Sequence, residues 1–169
     1  MTVLSDASIL HLLAEKRFGC EPFDERHLTP NGLDLTIAEV MLPDSFGTDK
    51  VFREGTVEVP ARERFVVSTR EFLRMPADVC GSLWIRSSYA RRGVVASFGK
   101  VEAGFEGTLT IGAWNASTSP LALPVGDRFC QLVLEPLVAP PRRTYAEASG
   151  TYQGQRGVTL ARGDARPPG

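Results

Sequence analysis

The punctuation of this chain constrains its fold more than any other feature. Short runs rich in β-branched and aromatic residues recur along it, and clusters of Gly, Pro, Asn and Asp separate them. Val57-Glu58-Val59, Arg64–Thr69, Val79–Ile85, Val94–Phe98, Thr108–Trp114, Leu121–Leu123 and Arg128–Leu134 are such runs. Asn31-Gly32 leads into the alternating segment Leu33–Ile37, and Pro124-Val125-Gly126-Asp127 leads into the last long run. Runs of this length, bounded by turn residues, predict an all-β sandwich or barrel.

One segment departs from that rhythm. From Ser5 to Arg17, the residues Ile9, Leu12, Leu13 and Lys16 follow helical spacing. Ser5 suits the N-cap, Asp6 the first turn, and Gly19 the end. This helix is expected to brace a sheet. Pro22–Pro30, Met41–Gly55 and Arg70–Asp78 read as loops or connections, and Ser87–Arg92 as one short helical turn.

With 169 residues, 43% hydrophobic and 23% charged, the chain suits one soluble domain, expected over 1–161. From Ala139 its character changes. Pro140-Pro141-Arg142-Arg143 opens a tail rich in Gly, Arg and Pro, expected to be mobile unless it closes on something, with 162–169 disordered. A net charge of −1 argues against a general nucleic-acid binder. No apolar run approaches membrane-spanning length and no signal-peptide pattern opens the chain, so no membrane partner and a cytoplasmic location are expected.

Cys20, Cys80 and Cys130 are odd in number and far apart, as reduced thiols are. With His11 and His27 they form no zinc spacing, which excludes zinc and the zinc-dependent nucleobase deaminases.

Chemistry concentrates between Leu83 and Asn115. Arg86, Ser87, Ser88 and Arg91 combine guanidinium forks with hydroxyls, a set that suits phosphate oxygens or, equally, a solvated loop. Glu102 lies in an expected hairpin between Phe98 and Thr108. Beside a phosphate pocket it could activate a water; otherwise it is a solvated turn residue. Phe105 could stack on a sugar or cap the core. Asp34, flanked by apolar residues, either bonds nearby backbone amides or helps hold a cation. Tyr152-Gln153-Gly154-Gln155-Arg156-Gly157 could close over a nucleotide but carries no phosphate-loop lysine pattern.

In order and spacing, five segments resemble the dUTPase and dCTP deaminase superfamily. They are Asn31–Leu35, Ile85–Arg91, Val101–Gly107, Gly126–Leu132 and Tyr152–Gln155. The resemblance is greatest to the archaeal-type dUTPases that carry a deaminase-like Arg-Ser-Ser segment. It implies a mainly β, distorted jelly-roll-like barrel with an N-terminal helix and a flexible C-terminal tail. It also implies a homotrimer with sites between subunits and a pyrimidine deoxyribonucleoside triphosphate as substrate, accompanied by Mg2+.

By the same resemblance, Ser87, Ser88 and Arg91 hold the triphosphate, and Arg86 contributes from a neighbouring subunit. Phe105 lies under the deoxyribose, Gln131 sits near the phosphates, and Gln155 with Tyr152 closes the site. Asp34 supports magnesium through water. Glu102 takes the place of the dUTPase aspartate. Gly112 falls where the deaminases carry their glutamate, and Thr151 where they often carry a lysine. The expectation is therefore a dUTP diphosphatase in which Glu102 activates water against the α-phosphorus. The alternatives are a dCTP deaminase or a catalytically weak nucleotide-binding homologue.

Overall fold

The computed structural model describes residues 2–43 and 49–161. The tail expected over 162–169 therefore lies outside the described residues. In chain order, α1 is Asp6–Ala14, followed by β1 (Gly19–Glu21), β2 (Leu28–Thr29), β3 (Gly32–Leu42), β4 (Lys50–Phe52) and β5 (Thr56–Val59). Next come β6 (Arg64–Thr69), β7 (Phe72–Arg74), β8 (Val79–Ile85), α2 (Ser87–Ala90) and β9 (Val94–Ala96). The remainder is β10 (Lys100–Val101), β11 (Glu106–Gly107), β12 (Thr110–Asn115), β13 (Leu121–Pro124), β14 (Arg128–Pro136) and α3 (Tyr145–Ala148). The fold is mainly β, as the turn punctuation predicts.

β3 organises the sheets. Its first half pairs antiparallel with β14 and β2, and its second half with β6 and β4. The register shifts between Ile37 and Glu39. An irregularity of this kind bends a strand, and here β3 changes neighbours across it. The main sheet runs β10-β8-β14-β3-β6-β12-β9; β1-β7-β11 and β13-β5 form two smaller sheets. Leu35, Val67, Ile111, Phe129 and Leu132 are buried between these layers. Phe129 meets Tyr89 at 5.1 Å and Phe65 at 6.3 Å between ring centroids.

α1 starts as expected, with Ser5 Oγ accepting from the Ser8 amide at 3.3 Å. It ends earlier than expected. Lys16 adopts φ 56°, and Gly19 opens β1 instead of closing the helix. Ile9 and Leu12 are its buried residues. No helix among the described residues is long and apolar enough to cross a membrane.

Three connections hold unexpected strands. Pro22–Pro30 contains β2, Arg70–Asp78 contains β7, and the polar stretch beyond Met41 contains β4. The expected hairpin is also rearranged. β9 and β12 do pair, through Ala96 and Ala113, but the chain between them leaves to pair β10 with β8 and β11 with β7. Glu102 therefore sits on a bridge between two strands and not at a tight hairpin tip.

The segment after Ala139 is draped on the barrel. Thr144 and Glu147 form a reciprocal capping box that starts α3. Beyond α3, the chain makes a parallel bridge from Gln155 to Gly107. Composition predicts mobility for this tail; in the structure, other strands supply the hydrogen bonds it cannot make within itself.

Candidate active site

A cavity of about 400 Å³ lies where the β10–β12 segment meets the tail. Glu102, Phe105, Thr110, Tyr145, Tyr152 and Gln155 line it, together with Lys100. The bridge residues reach it because Phe105 N donates to Glu102 O at 3.1 Å, closing a turn through Gly104. Gly104 has φ 78°, a left-handed conformation that glycine adopts without steric cost. A Cβ there would stand 2.7 Å from Thr144 Cβ, so the absent side chain lets the tail pack close.

Phe105 is buried and forms one wall. The tail fastens beside it. Gln155 Nε2 donates to Thr108 O at 2.7 Å, and Gln153 Nε2 donates to Gly104 O at 3.2 Å. Tyr145 Oη accepts from the Tyr152 amide at 2.9 Å. Lys100 is held from behind, its Nζ 2.7 Å from Ser82 Oγ and 2.9 Å from Glu135 Oε2. The Ser82 hydroxyl and then the Lys100 ammonium hold the Glu135 carboxyl below its ordinary range. Glu102 is exposed at the rim and has no ion pair among the described residues. It is also the only carboxylate among the described residues that line the cavity.

Of the expected site residues, Glu102, Phe105, Tyr152 and Gln155 are thus brought together. Ser87, Ser88 and Arg91 are not. They lie exposed on or just after α2, outside the cavity lining of the same chain, and their side chains have no hydrogen-bond partner among the described residues. Gln131 is also elsewhere, donating from Nε2 to Thr29 Oγ1 at 2.6 Å.

Asp34 is buried, with Arg86 Nε 3.0 Å and Arg128 Nη1 3.4 Å from its Oδ2. Burial pushes its carboxyl above the usual range, and the two guanidiniums pull against that. These contacts make Asp34 a counter-ion between strands. Both contacts use Oδ2, and they give Arg86 a structural partner within its own chain.

Tyr145, Lys100 and Thr110 are cavity residues that the sequence reading missed. The Thr144-x-x-Glu147 capping box was the available signal for Tyr145. Gly112 lies exposed on β12, and a Cβ built on it meets nothing within 4 Å. Its depression and the cavity share Ser97.

A family described as dCTP deaminase-like matches residues 3–137. The chain is 39% identical over 145 residues to a protein of Pyrococcus horikoshii named dCTP deaminase, covering 84% of this chain and 88% of that one. Among solved structures, the 2'-deoxycytidine 5'-triphosphate deaminase of Agrobacterium tumefaciens has a TM-score of 0.65 at 20% identity. It covers 78% of this chain, which spans about half (47%) of the Agrobacterium chain. The Staphylococcus bacteriophage 80alpha dUTPase has a TM-score of 0.54 at 19% identity, covering 76% of this chain and 95% of that one. These findings correct the dUTP diphosphatase expectation. The likeness to the dUTPase is one of fold, whereas relatives with substantial sequence identity, that of Pyrococcus horikoshii among them, carry the deaminase name.

Proposed function

Because the chain belongs to the dCTP deaminase-like family, we propose that it binds dCTP in the cavity beside Phe105 and converts it to dUTP and ammonia. In this reaction, water adds to C4 of the cytosine, the C4–N4 bond breaks, and N4 leaves with the proton it needs. A carboxylate must take a proton from water and return one to the departing nitrogen. The observation that carries the reading is Glu102, the single carboxylate among the described residues that line the cavity, which it shares with Phe105, Tyr145, Tyr152 and Gln155. Phe105 supplies an apolar surface for the sugar, and Gln155 and Tyr152 cover the ligand.

The phosphates need cations. Ser87, Ser88 and Arg91 are solvent-facing and outside the cavity of their own chain, which supports a homotrimer in which a neighbouring copy supplies them. Magnesium would arrive with the triphosphate and neutralise its charge. The proposed location is the cytoplasm, where the free thiols Cys20, Cys80 and Cys130 would stay reduced.

One observation favours a second reading, nucleotide binding with little turnover. Gly112 has no acid to offer where the deaminases carry a glutamate, and the space around it is open. Ammonia release from dCTP, measured for the parent and for Gly112→Glu, decides between the two. Steady release by the parent supports the deaminase. Release only by Gly112→Glu supports the binding protein, and no release by either variant, with no dCTP bound, removes both.

A further inference from the structure

On the outer face of the barrel, Glu39, Ser68 and Thr110 stand directly opposite one another on β3, β6 and β12. Directly opposed residues of antiparallel strands share a face. The tail crosses this row. Val158 N donates to Glu39 Oε2 at 2.7 Å, Thr110 Oγ1 donates to Gly157 O at 3.2 Å, and Thr159 N donates to Thr110 Oγ1 at 3.1 Å. Ser68 is fully buried in the middle of the row.

We propose that Glu39 is a positioning residue for the substrate cavity, acting through the backbone of Gly157–Thr159. The proposal rests on reading the cavity as the dCTP site. Three features single out Glu39. Its side chain is only 15% exposed, and its two oxygens are divided between tasks. Oε1 accepts from Arg53 Nε at 2.8 Å, which fixes the carboxylate, and Oε2 accepts from the tail. An amide bonded to a carboxylate makes a charge-assisted hydrogen bond, stronger than a neutral one.

The second feature is steric. Gly157 has φ 65°, and a Cβ built there would stand 2.6 Å from Glu39 Oε2. The tail comes this close because position 157 has no side chain. The third is proximity to the chemistry. Gln155, two residues upstream of Gly157, lines the cavity, and so does Thr110, the other end of the row. Arg156 between them lies over the Phe72 ring at 4.3 Å. Anchoring the backbone at 157–159 limits where Gln155 and Tyr152 can go. Glu39 itself is not in the cavity lining and acts only through the strap.

Amide exchange of the nucleotide-free protein, read alongside dCTP affinity and steady-state ammonia release, tests this for the parent, Glu39→Ala and Glu39→Gln. Glu39→Ala should exchange the Val158 and Thr159 amides about tenfold faster while β6 and β12 keep their protection. Its KM for dCTP should rise about tenfold with kcat little changed, as for a lost ordering contact. Glu39→Gln keeps an acceptor oxygen and should recover part of both effects. Unchanged exchange at Val158 and Thr159 in Glu39→Ala overturns the proposal. Faster exchange with parental dCTP affinity overturns the link to the cavity. A parent that binds no dCTP overturns the reading of the cavity, and the exchange measurement then decides alone whether Glu39 seats the tail.

Discussion

The ring of Tyr145 meets Phe105 edge-on, with centroids 5.5 Å apart and planes at 66°. One ring ends the turn that walls the cavity, just before β11, and the other belongs to the first turn of α3, so the contact ties the tail to the wall. An aromatic pair of this geometry contributes roughly 0.5–1.5 kcal/mol beyond its buried area. Tyr145→Phe should keep the pair and lose only the bond to the Tyr152 amide. Tyr145→Ala should lose both, weakening nucleotide binding several-fold more than Tyr145→Phe in calorimetry.

Glu102→Gln separates binding from chemistry. The amide fills the same space but cannot accept the water's proton. Ammonia release from dCTP should fall by about a hundredfold or more, the usual contribution of a general base. Calorimetric dCTP affinity should stay close to that of the parent. Parental release rates from the variant would show that another group moves the proton.

Arg91→Ala should weaken dCTP binding far more than deoxycytidine binding, since only the triphosphate can use a charge-assisted guanidinium contact. In a mixture with Glu102→Gln subunits, shared sites would let the two defects complement. Equal losses for both ligands would mean that Arg91 touches no phosphate.

Asp34→Ala should cost stability, because it leaves Arg86 and Arg128 facing an empty, largely buried position. Removing one partner of a buried pair costs about 3 kcal/mol at the low end of the measured range, and partial exposure of Arg128 places this case there. Urea unfolding should show a lower midpoint with an unchanged slope. A variant as stable as the parent would show that the pair adds nothing to folding.

The three thiols should differ in reactivity. Burial pushes the Cys20 thiol up to about 12 and the fully buried Cys130 thiol higher still. Cys80 is only half-buried. At pH 8, a thiol-reactive probe should label Cys80 first in the folded protein and reach the other two only on unfolding. Mass mapping of the labelled peptides reads this directly.

Much of the barrel was legible because its longer strands carry their own pattern. Arg64–Thr69 and Val79–Ile85 alternate or run apolar between turn residues and appear with the expected bounds. β7, β10 and β11 were not legible. Each has two or three residues, too few for a period to show, and each exists because a distant strand pairs with it. The site divides in the same way. Glu102 and Phe105 were found from a local cluster, and their meeting with Tyr152 and Gln155 was foreseen through a family resemblance. Asp34 was read as bonding nearby backbone amides or helping to hold a cation, and nothing local names Arg86 and Arg128, which reach it from the end of β8 and from β14. Tyr145 was missed because a four-residue helix in a Pro- and Arg-rich tail leaves little periodic signal.

The division of β3 between two sets of neighbours has a consequence during synthesis. β3 lies near the start of the chain, and its partner β14 lies near the end of the barrel segment. While the ribosome is still adding the middle of the protein, one edge of β3 has no strand to bond with. Strand pairing across so much intervening chain is slow to form, and an unpaired apolar edge is prone to join the wrong neighbour. The nascent chain is therefore most exposed to aggregation until Arg128–Pro136 has left the exit tunnel.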